Sequence, residues 1–501
     1  MAHAVPSLGI SFERVTTPCP WGNDRRDSTP CQGRDRHTRR TIELLLTGAL
    51  AGVAVAFGSY GAAAETLPGA LARAYGANPQ LNAERASVRA VDENVPRALS
   101  GYRPRISAEA DAGVAAMRSS MPGGMEAAGG QSGSLFPRGA GITLNQTLFD
   151  GFRTRNNVRT AESQVLGARE ALRNTEQNLL FDAVSAYMNV LRDTAILDLQ
   201  RNNVELLNEQ LSQTRERYEA GQVTRTDVSQ AEARLAGSRS QVSLAEANLR
   251  ASIARYRQVI GVDPKTLAPG LPADRWLPRS LPAAVQVALA EHPAIKASLH
   301  GVDAAELEVK VVEGELYPSL GLSAGLSRRS DVETRGDART AATAVVRLTV
   351  PIYEGGEVYA RTRQAKETAG QRRIEVEVTR DQVRAAVLSA WGQLEATKAQ
   401  ITAAQTQIQA SEIALTGVRE EARVGQRTTL EVLNAQQELL NARVNLVTAQ
   451  RDRVVASYSV LSAVGRLSAR VLALRTPSYD AKRHFDQVKD LWIGVRTPDG
   501  R

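Results

Sequence analysis

The chain says the same thing twice. Residues Tyr218-Glu219-Ala220-Gly221-Gln222-Val223-Thr224-Arg225-Thr226-Asp227-Val228 are answered 204 residues later by Ala422-Arg423-Val424-Gly425-Gln426-Arg427-Thr428-Thr429-Leu430-Glu431-Val432. The glycines superimpose, as do Gln222 on Gln426 and Thr224 on Thr428, and Asp227 falls on Glu431. Gly-poor, Pro-free helical text lies on both sides of each copy. A lone Gly between two such runs stops a helix, because Gly accepts the left-handed conformation that helix C-termini often need. Thr224 and Thr428 then supply a side-chain oxygen to cap the next helix. Each copy is therefore expected to be a tight helix-turn-helix tip.

The repetition extends over most of the chain. Leu67-Pro68 and Asn78-Pro79 open one half; Leu281-Pro282 and His292-Pro293 open the other, 214 residues on. Tyr102-Arg103-Pro104 matches Leu316-Tyr317-Pro318 at the same spacing. Leu148-Phe149-Asp150-Gly151 matches Ile352-Tyr353-Glu354-Gly355, and Ile260-Gly261 matches Val464-Gly465, both at 204. The surplus residues of the first half thus fall between Pro104 and Phe149, where Met121-Pro122-Gly123-Gly124 and Gly129-Gly130 read as a loop tip. The expected organisation is a leader and signal peptide (1–64), a first repeat (65–264), a Pro-rich connector (265–280), a second repeat (281–468) and a tail (469–501).

Each repeat carries the same order of elements. A helix over 68–100, or 282–315, ends at a Pro. An alternating segment follows, Ile106 to Val114 or Leu320 to Leu326, then a Gly/Ser/Asp-rich loop and a second alternating segment, Ile142 to Leu148 or Val346 to Ile352. Period-two alternation means a strand with one apolar face, and roughly ten residues suits a tilted membrane strand. A long helix comes next. Val190, Leu197, Val204, Leu211 and Tyr218 are spaced by heptads, as are Leu394, Ile401, Ile408 and Leu415. After the tips, Leu235, Val242, Leu249 and Tyr256, and Leu433, Leu440, Val447, Val454 and Leu461, keep the spacing. Sustained heptads are coiled-coil text. A helix from Thr154 to Tyr218 reaches roughly 100 Å at 1.5 Å per residue, too long for a compact domain. The opening helix and the post-tip helix together match its length, so they are expected to stack end to end beside it.

The aromatic content of 4 % is thin for a globular core and fits long packed helices. The net charge of +8 is spread among acids with no basic run, which argues against nucleic-acid binding. Cys19 and Cys31 both precede the body, so neither a disulfide framework nor a zinc site is expected there. Arg39-Arg40, the apolar run Leu44–Gly58 and Ala62-Ala63-Ala64 read as a secretory signal peptide cut after Ala64. No later stretch has the length of an apolar membrane helix. No G-x-S-x-G, P-loop or H-E-x-x-H motif occurs, so no enzyme, metal or cofactor is expected. Four strands cannot close a membrane barrel, and an open sheet edge in lipid leaves backbone groups unsatisfied. If the strands are membrane strands, several chains share one barrel, and three would give twelve strands. The other possibility at this point is a small soluble sheet.

On these features the chain resembles the TolC family of outer-membrane efflux and type I secretion channels. The carriers are the Asn78-Pro79 and His292-Pro293 openings, Leu148-Phe149-Asp150-Gly151, Arg217-Tyr218-Glu219-Ala220-Gly221 with Thr226-Asp227-Val228, and Val424 to Thr428 leading to Val432-Leu433-Asn434-Ala435-Gln436. The resemblance implies a mainly α fold with membrane β: duplicated coiled-coil helices forming a trimeric α-barrel, plus four strands per chain in a shared twelve-stranded β-barrel. It implies a homotrimer in outer-membrane lipid with its helical part in the periplasm, docked on a periplasmic adaptor protein and an inner-membrane transporter, with no nucleic acid. It also implies a polar gate. Asp227 matches the family's acidic partner and Arg427 its basic one, Glu431 stands where an Asp is common, and Asn434 replaces a second acid. Ala422 holds the place of a gate Tyr, whereas Tyr218 occupies the equivalent position in the first half. Gly221, Thr224, Gly425 and Thr428 would form the tip turns that meet the adaptor. Arg427 and Glu431 are also spaced for a local i,i+4 ion pair. An exported coiled-coil scaffold or adaptor without a pore is the alternative; it accounts for the heptads and leaves the matched strand pairs unexplained.

Overall fold

A computed structural model describes residues 64–117 and 133–500. The signal-peptide reading of residues 1–64 and the Gly-rich loop tip at 121–130 therefore lie outside the described residues, save for Ala64 itself. The first repeat runs α1 (Leu67–Ala77), α2 (Pro79–Asp92), α3 (Asn94–Leu99), β1 (Arg105–Ala112), β2 (Ala115–Met117), β3 (Gly133–Leu135), β4 (Arg138–Phe149), α4 (Arg153–Glu219) and α5 (Arg225–Ile260). The second runs α6 (Leu281–Glu291), α7 (Pro293–Glu313), β5 (Ser319–Ser330), β6 (Ala338–Thr349), α8 (Glu357–Arg423) and α9 (Thr429–Ala463), and α10 (Ala481–Val488) lies in the tail.

The long helices α4 and α8 are each 67 residues, close to the expected span. The opening helices differ from expectation: the first also turns at Glu93, and each is broken before a proline, at Asn78 and at His292. Proline disfavours helical backbone in the residue before it, and both residues sit in extended conformation. The breaks are where the short helices stack. The Asn78 side chain accepts from the N–H groups of Gln80 (2.9 Å) and Leu81 (3.3 Å) and donates to the carbonyl of Val259 (2.9 Å), in the last turn of α5. One side chain thus starts α2 and ends α5. In the second repeat, Nδ1 of His292 accepts from the Ala294 N–H at 3.2 Å. Burial pushes this imidazole below its usual pKa, which keeps the ring neutral and able to accept. Gly465, at φ +87°, ends the turn after α9 so close that a Cβ would lie 2.8 Å from the Cα of His292. Arg466 grips Glu291 with two bonds of 2.8 Å across the same joint.

The main core lies around this joint level. Tyr187, Tyr256, Leu71, Leu180 and Leu461 are fully buried there, drawn from α1, α4, α5 and α9. The tail belongs to it. The Arg85 guanidinium lies between the rings of Tyr75 (4.5 Å) and Tyr479 (5.1 Å). The fully buried Asp92 meets His484 of α10 at 3.0 Å and Arg169 of α4 at 3.6 Å. Burial raises the Asp92 pKa, and His484 and Arg169 pull against that rise.

The principal sheet has the antiparallel order β1-β4-β5-β6, with β1 and β6 as its edges. Its register sorts the side chains. Ile106, Leu144, Ala324 and Ala344 form one row, and Ala108, Ile142, Leu326 and Ala342 the next, on one face. Ser107, Thr143, Gly325 and Thr343 lie on the other. Ile106, Ile142, Leu326, Val346 and Leu348 are all more than half exposed, so the chain leaves its apolar face uncovered. This alternation, apolar out and polar in, is that of a membrane barrel. Phe149 is paired with Leu320 past a bulge, and β6 ends at Thr349, before Pro351, so Val350 and Ile352 fall outside the strand.

Candidate functional site

The two tips form as the duplicated sequence requires. Gly221 (φ +69°) and Gly425 (φ +83°) take the left-handed conformation. The N–H of Gln222 returns to the carbonyl of Arg217 (2.8 Å), and that of Gln426 to Glu421 (2.9 Å), closing the ends of α4 and α8. Both following helices begin with a reciprocal capping box. Asp227 accepts from the Thr224 N–H (2.9 Å) and hydroxyl (2.7 Å), while Thr224 Oγ1 accepts from the Asp227 N–H (3.4 Å). Glu431 does the same for Thr428 at 2.9 and 3.2 Å, with a return bond of 3.3 Å.

Arg427 joins both sides of the second tip. Its Nε donates to Glu421 at 2.8 Å, and its Nη1 to Glu431 at 3.0 Å. The bond to Glu421, then that to Glu431, holds the guanidinium above its usual pKa. Glu431 is held below its usual value, first by the Thr428 N–H and then by Arg427. Its contribution to the cap is therefore present above the ordinary value of 4.5 and is lost only as pH falls through the lowered value. Thr428→Ala should cost this cap about 1 kcal/mol. Hydrogen exchange of the amides at Thr429–Val432 would accelerate there and stay unchanged in α5; uniform exchange across both tips would contradict the assignment.

Within one chain the structure does not bring Asp227 and Arg427 together; each is engaged in its own hairpin. Tyr218 is 44 % exposed at the end of α4. Asn434 does make a tie between hairpins, accepting from Nη2 of Arg234 on α5 at 2.7 Å. Beside it Leu433, 2 % exposed, packs with Leu207, Leu211, Ala231 and Leu235 of the first hairpin. One apolar knob and one polar bond thus hold the two hairpins side by side just inside the tips. Arg234 and Leu433 as cross-links were not evident from the repeat, whose equivalent of Arg234 is Glu438.

Paired hairpins of this length, a polar tip and a sheet with an outward apolar face define a class: a helical duct continuous with membrane strands. Comparison with known proteins narrows it. The family model described as outer membrane efflux protein matches residues 70–262 and 284–466, one match per repeat. The outer membrane efflux protein BepC of Brucella suis biovar 1 (strain 1330) is 45 % identical over 445 residues, 88 % of this chain and 94 % of its own length. The outer membrane protein TolC of Escherichia coli (strain K12) is 25 % identical over 79 % of this chain and 81 % of its own. The alkaline protease secretion protein AprF of Pseudomonas aeruginosa is 28 % identical over 63 % and 67 %. Among solved structures, the CmeC outer membrane channel of Campylobacter jejuni aligns with a TM-score of 0.72 at 17 % identity, covering 85 % of this chain and 89 % of that one.

The chain belongs to the outer membrane efflux protein family, the TolC family of channels. It is a passive exit duct of the outer membrane with a helical part in the periplasm. The expected fold class holds: duplicated coiled-coil helices of an α-barrel, and four strands per chain of a shared β-barrel.

Proposed function

We propose that three copies of this chain close one twelve-stranded barrel and one helical barrel, and that the paired tips are the gate. The observation that carries this reading is the sheet. Its apolar face is uncovered and both edges, β1 and β6, are unpaired among the described residues. In lipid such edges must find partners, and a neighbouring copy supplies them: β6 of one beside β1 of the next. The helices support the same closure. Ile374, Val378, Leu388 and Ile413 of α8 are about half exposed or more, a stripe that a second copy would cover.

At the other end, Asp227, Arg427, Glu431, Asn434 and Tyr218 make the polar constriction. The turns at Gly221, Thr224, Gly425 and Thr428 meet a periplasmic adaptor, which links the duct to an inner-membrane transporter. Energy comes from those partners. The relatives named for efflux and for protease secretion are consistent with one duct serving either cargo.

The mass of the detergent-extracted outer-membrane species, measured with its conductance in a planar bilayer, tests the assembly. The expected species is a trimer, resistant to high-salt washing, with small and stable conductance. A monomer that washes off and conducts nothing would remove the barrel and leave a coiled-coil scaffold.

A further inference from the structure

The polar face of the sheet carries its own charge pattern, separate from the tips. Where the strands meet the helices, that face borders a concavity of about 780 Å³ whose lining includes Arg103, Arg105, Arg153 and Arg347 against only two carboxylates, Asp150 and Glu315. Both carboxylates are already engaged. Glu315 is held by Arg361 through bonds of 2.6 and 3.1 Å. Asp150 accepts from the N–H (2.8 Å) and hydroxyl (2.6 Å) of Thr154 at the start of α4. Two of the arginines are engaged as well: Arg103 donates to the Leu491 carbonyl and stacks on Trp492, and Arg153 donates to the Asp150 carbonyl. Arg105 and Arg347 are different. Both are exposed, and among the described residues neither guanidinium has a hydrogen-bond or ion-pair partner.

Their positions in the sheet give this a consequence. Arg105 is the first residue of edge strand β1 and pairs across to Asn145; Arg347 lies two residues from the end of edge strand β6 and pairs across to Gly321. Both pairings place them on the polar face, at the helix end of the sheet. Closing the sheet with a neighbouring copy therefore brings both arginines to the seam between chains, at the same end. Like charges near one another across a strand pair are unfavourable, and a mobile anion between them offsets the cost. Further along the same face the charges come closer to balance, with Asp111 3.7 Å from Arg329 and Glu109 nearby in the row pattern. The excess is confined to the base.

We propose that Arg105 and Arg347 form an anion-selecting collar at the base of the barrel lumen, repeated at each seam. The proposal rests on the closed barrel described above. Rings of arginine lining a pore favour anions by their field, and at this level four arginines outnumber the two carboxylates. The solutes favoured are small inorganic anions and carboxylate- or phosphate-bearing compounds.

Reversal potentials of the purified full-length channel in an asymmetric KCl gradient test the collar, with chloride as the probe anion. The wild type should prefer chloride. Arg105→Gln with Arg347→Gln should lower the chloride-to-potassium permeability ratio about threefold, the scale of charges acting within a Debye length of the path. Arg347→Gln alone should give part of that shift, and the double replacement by Lys should keep the wild-type value, because the charge is retained. A wild-type preference for potassium, or one reversal potential shared by wild type and the Gln variants, would overturn the collar while leaving the channel intact. A wild type that conducts nothing would instead remove the barrel, and the collar with it.

Discussion

Gly151→Ala should abolish the assembled channel, while the same change at its repeat-equivalent, Gly355, should leave it assembled. Both glycines lie in the left-handed region, at φ +69° and +67°. Each substitution thus pays the conformational cost of about 1–2 kcal/mol that an L side chain incurs there. They differ in what the new methyl meets. At Gly355 nothing in the chain lies within 4 Å. At Gly151 a Cβ would fall 2.1 Å from the carbonyl oxygen of Gly314 and 2.9 Å from the Cβ of Tyr317. The first of these is backbone, so no rotamer change relieves it. Gly314 is small for the matching reason: its own Cβ would stand 2.7 Å from the Gly151 carbonyl oxygen. The two glycines let the first strand-to-helix junction press on the end of α7, where the second repeat turns toward β5. Separating them moves the sheet relative to the helices. The yield of detergent-stable oligomer from outer membranes measures this. Gly151→Ala should yield none, and Gly355→Ala an oligomer melting several degrees lower. Equal yields and equal melting would mean that the junction is more compliant than this packing allows.

The asymmetry at Gly151 marks where sequence reading stops. Features fixed by a few neighbouring residues were legible: the tips, because Gly221 and Gly425 followed by Thr and an acid three residues on have one good local solution; and the sheet faces, because alternation leaves one register that buries or exposes the apolar set together. Two local signals overran. A proline at the first turn of a helix looks alike whether it opens the helix or restarts one, so the breaks at Asn78 and His292 merged into single helices. Alternation through Val350 and Ile352 outlasted β6, which stops before Pro351. What depended on distant residues was not legible. In α9 the heptad Val454 and Leu461 joins the core around α4, whereas Ala456 and Val460, with Val464 just past the helix end, join a second cluster with Val383, Val387 and Leu394 of α8. The helix has two apolar stripes because it lies against two long helices, and a single heptad reading sees one of them. The Arg234–Asn434 bond spans the two hairpins at positions the repeat does not relate, so no local pattern announces it.

The tip gives the other large expected effect. The double variant Asp227→Ala with Arg427→Ser should raise single-channel conductance several-fold if these residues hold the duct closed. Arg427 links the end of α8, at Glu421, to the start of α9, at Glu431. Removing it leaves two carboxylates facing each other across the second turn and frees the tip to splay. Removing the Asp227 carboxylate opens half of the first capping box, although the Thr224 hydroxyl can still accept from the backbone at 227. Neither change touches Leu433 or its buried partners, so both hairpins should stay folded and the oligomer intact. Arg234→Ala separates two accounts of closure. It cuts the bond to Asn434 that holds one chain's hairpins together and leaves Arg427 alone. If it opens the channel as far as the double variant does, closure depends on packing within each chain; if it does not, closure depends on what Arg427 and Asp227 meet on a neighbour. Salt supplies an independent check. These ion pairs are exposed, and screening shortens their reach to about 3 Å at 1 M ionic strength. The ratio of variant to wild-type conductance should therefore shrink as salt rises. A ratio of one at every salt concentration, with the trimer intact, would mean that the tip charges shape the turns and something else closes the duct.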